Sequence, residues 1–365
     1  MRATISHDRT PMTFAARVSM LFCVLCLSGL PAFAQPAPSW QPLSDEALKL
    51  YLQGKYDKAV EVSRQGLAEV ERQYSADHPG SAFFLARIGE AYRMQARYEQ
   101  AEQALDRALR IVERSFGPHH RSVALVLTSY GMLRVAQARM PEAEAMLTRA
   151  GAIRERNYGS DVNEALALNG LSRIYSARGE VDRAEATLKR AVEVAEKNAT
   201  PGHPIVAGTL ANLGALYTQH RRFREAEAIY RRTLALWEKG PDNPFAVPAL
   251  NGLGDLYRAE ERLDDAAAMY KKAIALVDNS LDRDHRQMAD SLAGAASIQF
   301  LQGEFDGAEA LYKRALQIRE TTLGEIHPDS VRTMEALAEV YFKLNQPAEG
   351  ERFESRALDI RTRKR

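Results

Sequence analysis

The chain of 365 residues has few cysteines and no excess of charge of one sign. Its two cysteines, Cys23 and Cys26, fall in one apolar stretch near the N-terminus, so no disulfide, cysteine nucleophile or Cys-ligated zinc is expected after that stretch. The 49 Lys and Arg balance 48 Asp and Glu, so net charge gives no argument for a nucleic-acid partner. Aromatic residues make up only 8%, but a hydrophobic fraction of 45% excludes an intrinsically disordered chain. No later stretch without charges reaches the roughly 20 residues that a membrane span needs.

Residues 1–34 have the pattern of a secretion signal. Three arginines precede the apolar stretch from Val18 to Leu30, Pro31 ends it, and Ala32-Phe33-Ala34 gives the small-x-small pattern that signal peptidase cleaves. We therefore expect a protein secreted across the inner membrane to the periplasm. An uncleaved signal anchor is the alternative, although the apolar stretch is short for a span. Residues 35–42 (QPAPSWQP) are predicted to form a Pro-rich extended linker.

A period near 42 residues organises the rest of the chain. One small residue recurs with successive gaps of 42, 42, 41, 42, 40, 42 and 42, and we call its positions the small-residue column. The column consists of Ala59, Ala101, Ala143, Ala184, Ala226, Ala266, Ala308 and Gly350. A fixed period of this length is typical of a solenoid in which each repeat is one supersecondary unit.

The residue spacing within each unit predicts two helices. In unit 5, apolar residues follow helical spacing before and after a short turn at His220-Arg221-Arg222. We expect Gly214 and Ala226 to let the two helices approach closely, with Tyr217 filling the space beside them. Because one such hairpin cannot bury its apolar face alone, neighbouring units must stack. The sequence therefore predicts an all-α, right-handed α-solenoid of about eight helix-turn-helix repeats and about sixteen helices.

Two segments indicate a family. The sequences AEALYKRALQIRE at 308–320 and LGEIHP at 323–328 resemble tetratricopeptide repeats, specifically the 42-residue type of kinesin light chains. The array would cover 43–363, with units near 43–77, 78–119, 120–161, 162–202, 203–242, 243–284, 285–326 and 327–363. The chain lacks the heptad-rich coiled coil of kinesin light chains and has a secretion signal instead, so we do not expect a motor-adaptor role.

A second column lies 23 residues before the small-residue column. It consists of His78, His120, His203, His285 and His327, with Asp161 and Asn243 in the other internal units. His, Asp and Asn suit the residue before a helix, and the proline that often follows suits the first helical turn. We predict caps rather than a metal site, because consecutive units hold these residues about one repeat width apart. No cofactor is expected.

Catalytic motifs are missing from the sequence. It has no Gly-x-Ser-x-Gly elbow, no His-Glu-x-x-His and no P-loop, and Gly252-x-Gly254 falls in a predicted helix with no strand before it. We therefore predict that the protein is not an enzyme, with a cryptic active site as the least favoured alternative.

The resemblance implies that the first helix of each unit lines a concave groove. Counting back from the small-residue column gives groove candidates on several units. They are Asn169, Asn212, Asn251, Arg87, Arg93, Arg173, Arg258 and Gln219. In related arrays an Asn row bonds the backbone of an extended peptide, which suits a side chain that both donates and accepts. The arginines could bind acidic side chains or a C-terminal carboxylate.

The resulting expectation is a non-enzymatic scaffold that binds a protein or peptide partner in its groove. One alternative is a regulator whose superhelix changes compactness when a peptide binds. Another is that the polar groove residues merely contact solvent. The sequence leaves open the partner, the oligomeric state and whether the linker occupies the groove.

Overall fold

A computed structural model describes residues 39–157, 161–199, 203–236, 244–280 and 285–363. The predicted secretion signal at 1–34 and residues 35–38 of the predicted linker lie outside this part of the chain. The described residues form sixteen α-helices and one short 3-10 helix at Pro244–Ala246. The α-helices are α1 Gln41–Leu52, α2 Tyr56–Gln73, α3 Pro79–Met94, α4 Tyr98–Phe116, α5 Arg121–Ala136, α6 Met140–Asn157, α7 Val162–Ala177, α8 Val181–Asn198, α9 Pro204–Gln219, α10 Phe223–Ala235, α11 Val247–Ala259, α12 Leu263–Ser280, α13 Arg286–Gln302, α14 Phe305–Thr322, α15 Pro328–Lys343 and α16 Pro347–Arg363.

Each unit is a pair of antiparallel helices, an odd-numbered first helix and an even-numbered second helix. The second helix packs against its own first helix and against the first helix of the next unit, and first helices of adjoining units also touch. Ala59, Ala101 and Ala226 of the small-residue column are fully buried where the helices cross. The predicted all-α solenoid is confirmed.

The histidine column caps helices, as predicted. His78, His120, His203, His285 and His327 each precede a first helix in extended conformation, and the imidazole Nδ1 accepts from the backbone N–H two residues on. Asp161 does the same for α7 through its carboxylate. Asn243 lies outside the described residues. Nδ1 must be unprotonated to accept this hydrogen bond. The lone pair that accepts the backbone N–H is therefore not available to bind a metal.

The turn inside every unit places one residue in the left-handed region, five positions before the small-residue column. Glycine holds this position at Gly54, Gly179 and Gly303. In the other five units a residue with a Cβ adopts it. These residues are Ala96, Ala138, Arg221, Glu261 and Asn345, with φ between 56° and 62°. The turn geometry is therefore fixed by the helix packing even where the side chain opposes it.

Tyrosine rings fill the glycine gaps between first helices, which corrects the predicted role of Tyr217. A Cβ on Gly214 would lie 2.7 Å from the ring of Tyr230, and one on Gly252 would lie 2.3 Å from the same ring. Tyr230 therefore lies between α9 and α11, the first helices of adjoining units. Tyr217 has another role, since its hydroxyl donates to Glu185 of the preceding unit at 3.0 Å.

That contact of Tyr217 recurs along the array. Tyr257 donates to Glu227 at 2.9 Å, and Tyr341 donates to Glu309 at 3.0 Å. In each case a first-helix tyrosine bonds a glutamate that follows the small residue of the preceding unit. Arginines of the second helices add ion pairs between units, such as Arg149 with Glu113 at 2.6 Å. These bonds join one unit to the next.

The first helix begins earlier than the sequence predicts. Helix α1 starts at Gln41, so residues 41 and 42 belong to it and not to an extended linker. Pro42 stands in the first turn, where its missing N–H costs no hydrogen bond. Trp40 packs edge-on against Phe84 of α3 at 5.9 Å between ring centroids, which fixes the chain before the helix.

The superhelix brings unit 7 against unit 1. Nε2 of His285, at the start of α13, lies 3.4 Å from the carbonyl oxygen of Leu52 at the end of α1. Since Nδ1 of His285 accepts from Gln287, the neutral ring carries its proton on Nε2 and can donate to that carbonyl. A Cβ on Gly54 would lie 3.5 Å from the same ring. Units six apart in sequence are thus in contact.

A second contact joins unit 2 to the loop between α14 and α15. Leu323 is fully buried in a core cluster whose other members come from units 1 to 3. Ala96 in the turn of unit 2 is 4% exposed, whereas Ala138 at the same turn position of unit 3 is exposed to solvent. The unit 2 turn is covered because Gly324 of this loop lies against the carbonyl of Gln95. We call the contacts of units 1 and 2 with unit 7 the closure.

Candidate partner-binding groove

The first helices α9, α11, α13 and α15 form one wall of the groove around a pocket of about 570 Å³. Tyrosines of the second helices reach this pocket from beneath, because they project between the first helices. The three are Tyr230, Tyr270 and Tyr312. Burial raises the pKa of Tyr230 to about 12, so its hydroxyl stays protonated at neutral pH. The rings of Tyr230 and Tyr270 are nearly fully buried, so they form the floor of the pocket beneath the polar residues of the first helices.

The three predicted asparagines differ in what they bond. Asn169 is buried, and its Nδ2 donates to Thr209 at 2.9 Å while its Oδ1 accepts from Asn212 at 3.2 Å. Asn251 is half-buried, and its Oδ1 accepts from Ser291 at 2.9 Å. Each bond crosses from one first helix to the next. Asn169 is thus committed to the array itself, whereas Asn212 is exposed and lines the pocket together with Asn251.

Two further candidates lie at the same part of the groove. Arg258 lines the pocket and donates to Asp255 at 3.2 Å, and the same carboxylate oxygen accepts from Tyr270 at 2.8 Å. Both side chains of this ion pair are about half exposed, so the pair contributes little stability. A charged group of a partner can therefore replace Asp255 beside Arg258 at little cost in free energy. Gln219 is exposed at the last residue of α9, at the edge of the groove.

Arg87 is engaged at the other end of the groove. Its Nη1 donates to Glu90 at 2.8 Å, and its guanidinium lies 5.1 Å from the ring centroid of Tyr51 on α1. Glu90 also accepts from Ser129 of the next unit at 2.6 Å. Since the side chain of Arg87 is only 12% exposed, its charge is used within the protein.

Arg93 and Arg173 have no carboxylate partner among the described residues. The Nε of Arg93 is buried with no hydrogen-bond acceptor. The side chain of Arg173 is exposed to the groove. Burial within the superhelix lowers its pKa, and the charges of Arg93 and Arg286 lower it further. Arg286 is a groove residue that the sequence reasoning missed. It stands at the first position of α13, and the closure carries it toward unit 4.

The tyrosine set was also missed, although the sequence contains a signal for it. Tyrosine follows the small-residue column by four positions only in units 5, 6 and 7, where units 2 to 4 have leucine. Gly252 and Gly294 occupy the facing position of the next first helix, and a Cβ on Gly294 would lie 2.2 Å from Tyr270. Glycine also holds this position at Gly170, opposite Leu147, so the larger ring on the second helix is what marks this part of the groove.

Other kinds of site find no support in the described part of the chain. Within the described ranges, no group of three or more His, Cys, Asp or Glu side chains is placed to hold a metal ion. Among those same residues, no helix is long and apolar enough to cross a membrane. Gly252 and Gly254 lie in α11 and make room for Tyr230 and Tyr270, so they are packing positions.

Family models match most of the array. The MalT-like TPR region model matches residues 160–346, and a tetratricopeptide repeat model matches 46–114, 82–156 and 122–197. The chain therefore belongs to the tetratricopeptide repeat proteins, with a MalT-like TPR region. Proteins of this family generally act as non-enzymatic scaffolds that bind other proteins. No curated protein sequence matches the chain.

Solved structures of low identity are similar in fold. The Cut9-Hcn1 hetero-tetramer of the APC/C matches with a TM-score of 0.55 and 16% identity, over 88% of this chain and 53% of that chain. BtubC (BKLC) from P. vanneervenii gives 0.48 and 21%, over 64% of this chain and 94% of that one. TPR-like repeats of a Podosopora anserina protein assigned as a kinesin light chain give 0.46 and 18%, over 56% and 97%. The first of these supports the solenoid fold.

Proposed function

We propose that the protein is a non-enzymatic scaffold that binds an extended peptide segment of a partner protein in the groove of units 5 to 8. The observation that carries the proposal is the pocket between α9, α11, α13 and α15, where Asn212 and Asn251 stand beside Tyr230 and Tyr270. A pocket with an aromatic floor and a few placed polar groups has the usual composition of a recognition site.

The hydrogen-bonding groups of this pocket fit a peptide backbone. Asn212 uses its Nδ2 on Asn169, and Asn251 uses its Oδ1 on Ser291. The amide atoms left over, Oδ1 of Asn212 and Nδ2 of Asn251, are an acceptor and a donor on adjoining first helices. A peptide amide offers the complementary pair, and the bonds within the array fix both side chains beforehand, which lowers the entropy cost of binding.

The test selects ligands without assuming a partner. A random peptide library is selected on the purified full chain, and the affinity of enriched peptides is measured by fluorescence anisotropy. Replacement of both Asn212 and Asn251 with Ala is expected to weaken these peptides about tenfold or more, since each lost hydrogen bond contributes about 1 kcal/mol. Asn169 is left intact because its bond to Thr209 supports the fold.

Arg224→Gln is the matched control, because Arg224 is exposed on α10, a second helix that lies away from the groove wall. Its affinity should equal that of the wild type. Enriched peptides that bind the double Asn variant as well as the wild type would place recognition outside this pocket and reject the proposal.

A second candidate function, a regulator whose superhelix changes compactness with ligand, is favoured by the closure. Leu323 inserts in the core of units 1 to 3, so ligand-dependent release of one loop would open the superhelical turn. Small-angle scattering with and without a selected peptide separates the two functions, since a pure scaffold keeps its dimensions.

We also propose that the protein is exported to the periplasm. The support is the sequence of residues 1–34, with its basic start, apolar stretch and small-x-small end. Detection of a mature N-terminus at Gln35 in a periplasmic fraction tests the proposal, and a full-length chain retained in the membrane contradicts it.

A further inference from the structure

Three arginines from distant units lie close enough in the interior of the superhelix for their charges to act on one another. Arg93 lies in the last turn of α3, Arg173 lies in α7, and Arg286 is the first residue of α13. They belong to units 2, 4 and 7, all on first helices. The contact of His285 with the carbonyl of Leu52 holds the start of α13 beside unit 1 and so sets the position of Arg286.

The carboxylates around these arginines are already paired with other arginines. The pairs are Glu90 with Arg87 at 2.8 Å, Asp290 with Arg319 at 2.9 Å, and Asp329 with Arg332. Arg286 shares two of these carboxylates at long range, 3.9 Å to Asp290 and 3.6 Å to Asp329. Arg93 and Arg173 are left with no carboxylate among the described residues, and the Nε of Arg93 is a buried donor without an acceptor. Buried donors normally have a partner, so the Nε of Arg93 is suited to an added acceptor.

Tyrosine hydroxyls complete the surroundings of Arg93. Its charge acts on Tyr51, Tyr56 and Tyr98, opposing the burial that raises the pKa of each. The pKa of Tyr51 is about 12, so its hydroxyl remains a neutral donor at physiological pH. The hydroxyl of Tyr56 also hydrogen-bonds Arg286, so the charges of both Arg93 and Arg286 act on it. Guanidinium groups outnumber carboxylates in this region, and that is the chemistry that binds an oxyanion.

We propose that Arg93, Arg173 and Arg286 form an oxyanion-binding site that spans the superhelical turn and takes a carboxylate or phosphate group. Because the arginines come from units 2, 4 and 7, a bound anion links the two ends of the array and favours the closed superhelix. The site deepens the proposed function, on which its biological meaning rests, since an acidic group on a bound peptide is one source of the anion. It uses other residues than the asparagine pocket, so each can fail alone.

Calorimetric titration of the full chain at low ionic strength tests the proposal with two probes, inorganic phosphate and an acetylated tetraglutamate amide. Acetylated tetraglutamine amide is the uncharged control. At least one anionic probe is expected to bind with one site per chain, and Arg93→Gln and Arg173→Gln should each weaken it about tenfold or more. Binding of phosphate alone identifies a phosphate ligand, and binding of tetraglutamate alone identifies an acidic peptide.

Arg224→Gln serves again as the control and should bind as the wild type does. Arg173 is exposed, so Arg173→Gln should fold. Its affinity for the probes therefore tests the site even if Arg93→Gln fails to fold. Absence of binding by both probes, or equal affinity in Arg173→Gln and Arg224→Gln, overturns the site. If the selected peptides still depend on Asn212 and Asn251 in that case, the groove function stands without the anion site.

Discussion

Replacement of Gly252 with Ala tests the packing that creates the groove. The new Cβ would lie 2.3 Å from the ring of Tyr230, well inside contact distance, and Tyr230 is only 2% exposed and cannot swing away. Overpacking of this kind costs about 1–3 kcal/mol. Because the ring of Tyr230 is packed against both Gly214 and Gly252, we expect a cost near the upper end of that range. The higher helix propensity of Ala returns about 1 kcal/mol. We therefore expect a net loss of about 2 kcal/mol in the free energy of unfolding.

Gly208→Ala is the matched control for this variant. Gly208 is also in the interior of a first helix, α9, but a Cβ there meets nothing within 4 Å. Only the propensity gain applies, so Gly208→Ala should stabilise by up to about 1 kcal/mol. The two variants are thus expected to differ by about 3 kcal/mol in urea unfolding followed by circular dichroism.

A double-mutant cycle separates the ring clash from other causes. In a Tyr230→Ala background the ring is gone, so Gly252→Ala should no longer destabilise the array, and the coupling free energy should approach the full cost of overpacking. If Gly252→Ala and Gly208→Ala change the stability alike, or if the loss at Gly252 persists without the ring, the packing described here is wrong.

Two further predictions concern the caps and the turns. His203→Asn keeps an acceptor for the N–H of Ile205 but does not titrate. Burial lowers the pKa of His203 in the folded state, so its contribution is complete above the unfolded pKa of about 6.5 and is lost as pH falls through the folded pKa. Between about pH 7.5 and about pH 5.5 the urea midpoint of the wild type should therefore fall more than that of the variant; an identical fall would contradict the cap. Ala138 is a left-handed residue with φ 59°, so Ala138→Gly should relieve strain and raise the free energy of unfolding by about 1 kcal/mol. A loss of stability of the size usual for Ala→Gly in a helix would show that Ala138 is not strained.

The parts of the fold that depend on local chemistry could be predicted from the sequence. His78 and Asp161 act as caps because a side-chain acceptor before a helix has a backbone donor within reach whatever the tertiary context. Ala59 and Ala226 are buried at helix crossings because only a small residue fits there. Period and spacing report such features directly, since each recurs along the array.

The closure could not be predicted from the period. Each unit adds a small rotation to the superhelix, and six such rotations must be summed to decide whether His285 meets Leu52. Column counting therefore identified Arg93 and Arg173 but not Arg286, which reaches them only across the turn. It also could not show that Asn169 bonds Thr209, because an asparagine that serves a ligand and one that serves the next helix have the same spacing.

A crystal structure of the full chain with a selected peptide would show whether the groove of units 5 to 8 is the binding site. We expect an extended peptide along α9, α11 and α13, with its backbone bonded to Asn212 and Asn251 above the rings of Tyr230 and Tyr270. A peptide bound on the second helices, or in the groove without contact to either asparagine, would contradict it.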